Sequence, residues 1–196
     1  MPLLVGLAAL IAFGIKSSVA QAFYIPSGSM LPQLQINDRV VVSKLAYRLH
    51  DPRRGDIVVF DCPPSACRGP DGSDTESAEP AGGVAHWLRA VGRAVGLVQP
   101  STEEFIKRVI GLPGETVEGR DGGVVIDGRH LVEPYLPPAA RTGDFGPVEV
   151  PAGKLFVMGD NRGGSSDSRV FGPIDRSSVV GRTVLRVWPP AHASFL

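Results

Sequence analysis

Apolar positions fall into two regimes along the chain. The first is one run, from Leu3 to Ile15, with no charged side chain before Lys16. At about 13 residues it is shorter than the ~20 a spanning helix needs. Continuing past Lys16 through Val19, Ala20, Ala22, Phe23 and Ile25 reaches that length, with Lys16 snorkelling its amine to one interface. The pattern predicts a membrane anchor over residues 1–22. Two other readings fit the same run: a buried core helix, and a cleaved signal peptide with Ala20-Gln21-Ala22 as its A-x-A site. The absence of Lys or Arg ahead of the run argues against the signal peptide.

Beyond residue 25 the texture becomes that of short strands and turns. Arg39-Val40-Val41-Val42-Ser43 and Asp56-Ile57-Val58-Val59-Phe60 are β-branched runs bounded by Asn37-Asp38 and Arg54-Gly55. Residues 104–110 read as another strand, closed by the turn Gly111-Leu112-Pro113-Gly114. Residues 123–132 read as a hairpin turning at Asp127-Gly128, a pair that supplies positive φ. Residues 154–158 and 179–188 complete a mainly β, mostly antiparallel domain over 23–196. The stretch 61–103 reads as an insertion. Its first part is a Pro-, Gly- and Ser-containing acidic loop with no face to bury. In its second part Val84, Trp87, Leu88, Val91, Val95 and Val98 recur at helical spacing, so a short amphipathic helix is expected, packed on its own domain or on a membrane or partner surface.

Composition sharpens this picture in two ways. With 24 glycines and 18 prolines the chain has too much backbone punctuation for a helical bundle. Its 20 basic residues are balanced by 20 acidic ones, which excludes a generalist nucleic-acid binder. The four histidines, at 50, 86, 130 and 192, are scattered without metal-ligand spacing, so no metal site is expected. Cys62 and Cys67 share a Pro-containing loop, where they form a small disulfide in an oxidising compartment or remain two thiols.

What remains is hydroxyl chemistry. Ser27-Gly28-Ser29 lies between Pro26 and Pro32 directly after the apolar leader, and a dense polar loop runs from Gly159 to Arg169. A nucleophilic serine needs a base. Arginine stays protonated, and the histidines lie away from both segments. Of the four lysines, Lys16, Lys44, Lys107 and Lys154, only Lys107 sits in a strand flanked by Phe105, Ile106, Val109 and Ile110. Burial there disfavours the ammonium and lowers its pKa toward a usable range. A buried lysine beside serine is a known substitute for the histidine of a triad.

Four motifs in order then resemble the bacterial type I signal peptidases, membrane-anchored serine endopeptidases that remove signal peptides. They are Ile25-Pro26-Ser27-Gly28-Ser29-Met30, Arg54-Gly55-Asp56-Ile57-Val58-Val59-Phe60, Phe105-Ile106-Lys107-Arg108-Val109-Ile110-Gly111-Leu112-Pro113-Gly114, and Gly159-Asp160-Asn161-Arg162 through Ser165-Ser166-Asp167-Ser168-Arg169. Glu133-Pro134-Tyr135-Leu136 is also typical of that family. Having Lys107 where the endoplasmic-reticulum and sporulation-type relatives have histidine favours the bacterial type.

The resemblance implies a Ser29 nucleophile, a neutral Lys107 base, and an oxyanion hole made by the Ser27 hydroxyl and the Ser29 backbone N–H. It implies that Ser165 orients the lysine while Asp167 and Arg169 form a supporting ion pair. Phe23, Ile25, Met30, Leu34, Phe105 and Ile106 are expected to line shallow pockets for small residues at −1 and −3 of the signal peptide. No cofactor is implied. The implied partners are exported preproteins and membrane lipid, with one span and the catalytic domain on the outer face of the bacterial cytoplasmic membrane. A small cap over 115–153 is expected, shorter than is usual, and Gly163-Gly164 departs from the family's pattern in the last motif. Three other functions share these features: a pilin- or conjugation-type peptidase, a self-cleaving repressor-type protease, which would need a DNA-binding domain ahead of Ser29, and an inactive module that binds signal peptides.

Overall fold

The computed structural model describes residues 19–67 and 104–196. Residues 1–18 of the expected anchor over 1–22, the amphipathic segment 84–99 and most of the 61–103 insertion lie outside the described residues. No helix among the described residues is long and apolar enough to cross a membrane.

The chain begins with strands β1 (Ala20–Tyr24), β2 (Arg39–Ser43), β3 (Ile57–Asp61) and β4 (Glu104–Gly111). A second group follows, β5 (Thr116–Arg120), β6 (Gly123–Ile126), β7 (Arg129–His130) and β8 (Phe145–Glu149). It then returns with β9 (Lys154–Met158), β10 (Ile174–Asp175), β11 (Val179–Trp188) and β12 (Ser194–Phe195). The first and last groups form one sheet in the order β1-β2-β11-β3-β4-β9-β10, with β12 added to β11, and the middle group forms a separate sheet in the order β7-β6-β5-β8. Every pairing is antiparallel.

The large sheet is buried on both faces because its strands are apolar at successive positions. In β3, Ile57 and Val59 enter a cluster with Phe23, Ile25, Met30, Leu34, Val40, Val42 and Ile106. The alternate residues Val58 and Phe60 enter another with Val109, Leu155, Val157 and Ile174. This is the period-2 consequence of the pleat. A third cluster joins the sheets: Ile110, Phe156 and Met158 of the large one pack against Val117, Val124 and Ile126 of the small one. Phe145 stacks on Phe156 there, with ring centroids 5.7 Å apart.

One expectation is corrected. Residues 20–24 are a strand, not the end of an apolar helix: Ala20 pairs with Ser43 and Tyr24 with Arg39. The valine run of β2 offers a pairing edge, and laddering onto it satisfies backbone groups while Phe23 turns inward at 5% exposure. The hairpin between β6 and β7 turns as expected, with Asp127 at φ 48° and Gly128 at φ 77°. Cys62 and Cys67 are disulfide-bonded, with Cα atoms 6.1 Å apart.

Phe156→Ala removes a fully buried ring at the junction of the two sheets. It is expected to cost about 3–5 kcal/mol. Denaturant unfolding would measure the loss, and hydrogen exchange should show protection falling first in β5 and β6.

Candidate active site

Two segments distant in sequence meet at the candidate site. The first is the turn after β1, which places Ser29 at 8% exposure. Its chain is tied down by Ile25 N–H donating to Asp38 O (2.9 Å) and Leu34 N–H donating to Met30 O (2.9 Å), with Met30 and Leu34 fully buried beneath it. The second is β4, where Lys107 lies opposite Val58 of β3 at 5% exposure. The Lys107 Nζ is 2.9 Å from Ser29 Oγ, its second contact is Ile106 O at 3.0 Å, and it stands 5.4 Å from the centroid of the Phe105 ring. Ser27 Oγ approaches Ser29 Oγ at 3.4 Å from the solvent side.

Burial sets the chemistry of this amine. Desolvation pulls the Lys107 pKa down from 10.5 to about 8, against an opposing upward pull from the Asp167 carboxylate. Asp167 is fully buried. Burial alone would raise its pKa, but two bonds from Arg169 (Nε and Nη2, both 2.8 Å) and the Gly159 N–H (2.9 Å) hold it below the usual carboxylate range. Arg169 also donates to Arg162 O at 2.7 Å, so the expected Asp167/Arg169 pair closes the loop that starts at Gly159.

The expected bond from Ser165 to Lys107 is not formed. Ser165 Oγ is buried close to Asp167 without a hydrogen bond of ordinary geometry. Its position follows from Gly159: a Cβ there would lie 2.2 Å from Ser165 Oγ and 2.5 Å from Ser29 O. The strand end of β9, the polar loop and the Ser29 backbone therefore touch at a point where no side chain fits. Of the six expected pocket residues, Phe23, Ile25, Met30, Leu34 and Ile106 share one cluster, whereas Phe105 packs elsewhere, against Phe60 and Phe171.

Several residues of the site carried no separate signal in the sequence. Asn161 N–H donates to Ser29 O (3.0 Å) and its side-chain Nδ2 to Gly28 O (3.0 Å). Because a trans peptide points its C=O and N–H in opposite directions, the hold on Gly28 O also orients the Ser29 N–H. Behind this, Arg108 makes a bidentate pair with Asp160 (2.8 and 2.6 Å), donates to Gly55 O (2.7 Å) and lies 3.9 Å above the Tyr135 ring. Arg162 pairs with Glu133 (2.8 and 2.5 Å), Thr142 (2.8 Å) and Gly159 O (3.1 Å). Of these, Arg108, Asp160, Asn161 and Arg162 stand inside the motifs quoted above. Glu133 and Tyr135 belong to the short Glu-Pro-Tyr-Leu segment. Among the described residues no group of three or more His, Cys, Asp or Glu is placed to hold a metal.

A buried amine thus lies against a serine hydroxyl on an antiparallel β scaffold, and comparison with known proteins gives the class. The chain belongs to the signal peptidase family, peptidase S26, whose model matches residues 1–188, and it is a serine peptidase. It is 43% identical to a signal peptidase I from Leptolyngbya laminosa over 188 residues, covering 94% of this chain and 77% of that one. It is 36% identical to a signal peptidase I from Mycobacterium tuberculosis over 213 residues, covering 95% and 71%. A solved signal peptidase I from Enterococcus faecalis aligns with 68% of this chain and 97% of that one at 30% identity, with a TM-score of 0.42.

Gly159→Ala tests the close approach at the loop. The added methyl must displace Ser165 or the Ser29 carbonyl, costing about 1–3 kcal/mol of stability as overpacking. Peptidase activity is expected to fall more steeply than the folded fraction, as measured by thermal unfolding beside a cleavage assay.

Proposed function

We propose that this serine peptidase removes signal peptides from exported preproteins by a Ser29/Lys107 dyad. The observation that carries the reading is the 2.9 Å approach of a buried amine, at a pKa of about 8, to Ser29 Oγ. Neutral Lys107 takes the Ser29 hydroxyl proton as Oγ attacks the carbonyl carbon of the residue at −1. The oxyanion that forms is met by the Ser29 N–H and the Ser27 hydroxyl, donors set before the reaction begins. The lysine ammonium then passes its proton to the nitrogen of the residue at +1. The C–N bond breaks, and the mature protein leaves with a new amino terminus. Water attacks the resulting ester with Lys107 again as base, which returns the Ser29 hydroxyl and releases the signal peptide as a carboxylic acid.

In this reading Asp167 and Arg169 hold the loop that backs the dyad, and Ser165 fills the space under Gly159 instead of bonding the lysine. Small residues at −1 and −3 suit pockets lined by Phe23, Ile25 and Ile106, which pack with the fully buried Met30 and Leu34. Phe105 contributes by packing beside Lys107, which keeps water from the amine. The substrate binds extended, a mode in which alternate side chains enter pockets. Residues 1–18 serve as a single membrane anchor. The described domain then starts at β1 against the outer face of the membrane, where signal peptides arrive.

Ser29→Ala or Lys107→Ala in folded protein is expected to lower cleavage of a synthetic A-x-A signal-peptide substrate by roughly four orders of magnitude. Mass spectrometry of the products would read it, and wild-type rates in either variant would sink the dyad. The pH dependence has a definite sign. The working form is the neutral amine, so kcat/KM should rise with pH through about 8, gaining about tenfold between pH 7 and pH 9.

A further inference from the structure

A cavity of about 360 Å³ opens beside the nucleophile, between the Ser29 segment and the small sheet's connections. Leu31 and Pro32, which follow Ser29 in the chain, line it together with Pro137, Ala140 and Arg141. Asn161, which donates to both Gly28 O and Ser29 O, lines it as well, so the cavity abuts the reacting segment directly. Leu31 is 37% exposed, an apolar side chain two residues from the nucleophile with open space before it. The five clustered pocket residues, Phe23, Ile25, Met30, Leu34 and Ile106, belong to a different cluster that this cavity does not share.

The charges around the cavity are not balanced. Asp160 is neutralised by Arg108, and Arg162 by Glu133. Arg141 differs. Its Nη1 donates to the carbonyls of Pro138 (3.0 Å) and Ala140 (2.8 Å), and among the described residues no carboxylate lies within ion-pair distance of it. Those two bonds hold the guanidinium at the cavity edge while leaving Nε and Nη2 unengaged. The cavity therefore offers apolar contact near Ser29 and one fixed, uncompensated positive charge farther out.

An extended substrate crossing Ser29 needs a path on both sides of the bond that breaks. We propose that this cleft receives the stretch of preprotein that follows the scissile bond, and that Arg141 selects an acidic side chain within it. The inference rests on the signal-peptide reading above and adds a specificity determinant on the mature side of the cleavage site. Charge complementarity commits the occupant: a basic residue at the same place meets Arg141 with no acid to offset it.

The test uses the full chain in detergent and peptides sharing one A-x-A signal sequence, with Asp, Asn or Lys placed in turn at +2, +3 or +4. At one of these positions Asp is expected to give a lower KM than Lys, by on the order of threefold, the size an exposed ion pair supplies. The difference should shrink at high salt. Arg141→Gln should flatten the ranking and Arg141→Glu reverse it. Equal KM values for Asp and Lys peptides at all three positions in the wild-type protein overturn the proposal without any variant, as does a ranking that Arg141→Glu leaves unchanged. Cleavage after the second Ala with no charge ranking removes the cleft while the proposed function stands. Failure to cleave any of the peptides removes both.

Discussion

Everything near the site depends on keeping one amine out of water. Lowering the Lys107 pKa from 10.5 to about 8 corresponds to about 3 kcal/mol of disfavoured charge at neutral pH. The sign of the linkage follows from the depressed value. Between pH 8 and pH 10.5 the unfolded chain binds more protons than the folded one, so this cost falls away as pH rises through that window. At neutral pH the fold carries the cost, which other interactions must offset. The fully buried Val58 opposite Lys107 and the Phe105 ring beside it help exclude the water.

The remaining buried charges are handled in the opposite way, by complete pairing. Arg108 with Asp160, Arg162 with Glu133 and Arg169 with Asp167 are each bidentate, and arginine's planar fork suits that task where lysine's point charge does not. Such pairs are weak evidence for added stability, since removing charge from water is costly. Their effect is positional: they fix Gly159, Asn161 and the carbonyl of Arg162 on one side of Ser29. The use of 16 arginines and four lysines in this chain fits that division, with arginine at the structural pairs and a lone lysine at the buried position beside Ser29.

The sequence made the scaffold legible wherever strands were long and β-branched. β2, β9 and β11 fall at the expected boundaries because their apolar runs end in turn residues. β5 and β8 escaped notice because Gly119 and Gly146-Pro147 interrupt them. β1 was hidden by its apolar neighbours, which merged it with the leader, since periodicity alone does not separate a short apolar strand from the tail of a helix. At the site, the Ser29–Lys107 meeting was legible from residue chemistry: one serine pair after the leader and one lysine in an apolar strand. Asn161 and Gly159 were not, because their roles depend on a backbone carbonyl 132 or 133 positions away and on the space left between two loops, neither of which has a local signature. Ser165 was legible as part of a motif, yet its place beside Asp167, without a bond to Lys107, was not.

Asp167 shows how these two treatments of charge meet. Its carboxylate is the nearby acid whose field raises the Lys107 pKa. Arg169 occupies both carboxylate oxygens and the Gly159 N–H takes a further lone pair. The negative charge is thereby held by fixed local partners while its field still pulls the Lys107 pKa upward. Desolvation then prevails and leaves the amine near 8. Burial of the amine, not the neighbouring salt bridge, therefore decides which way the Lys107 pKa moves.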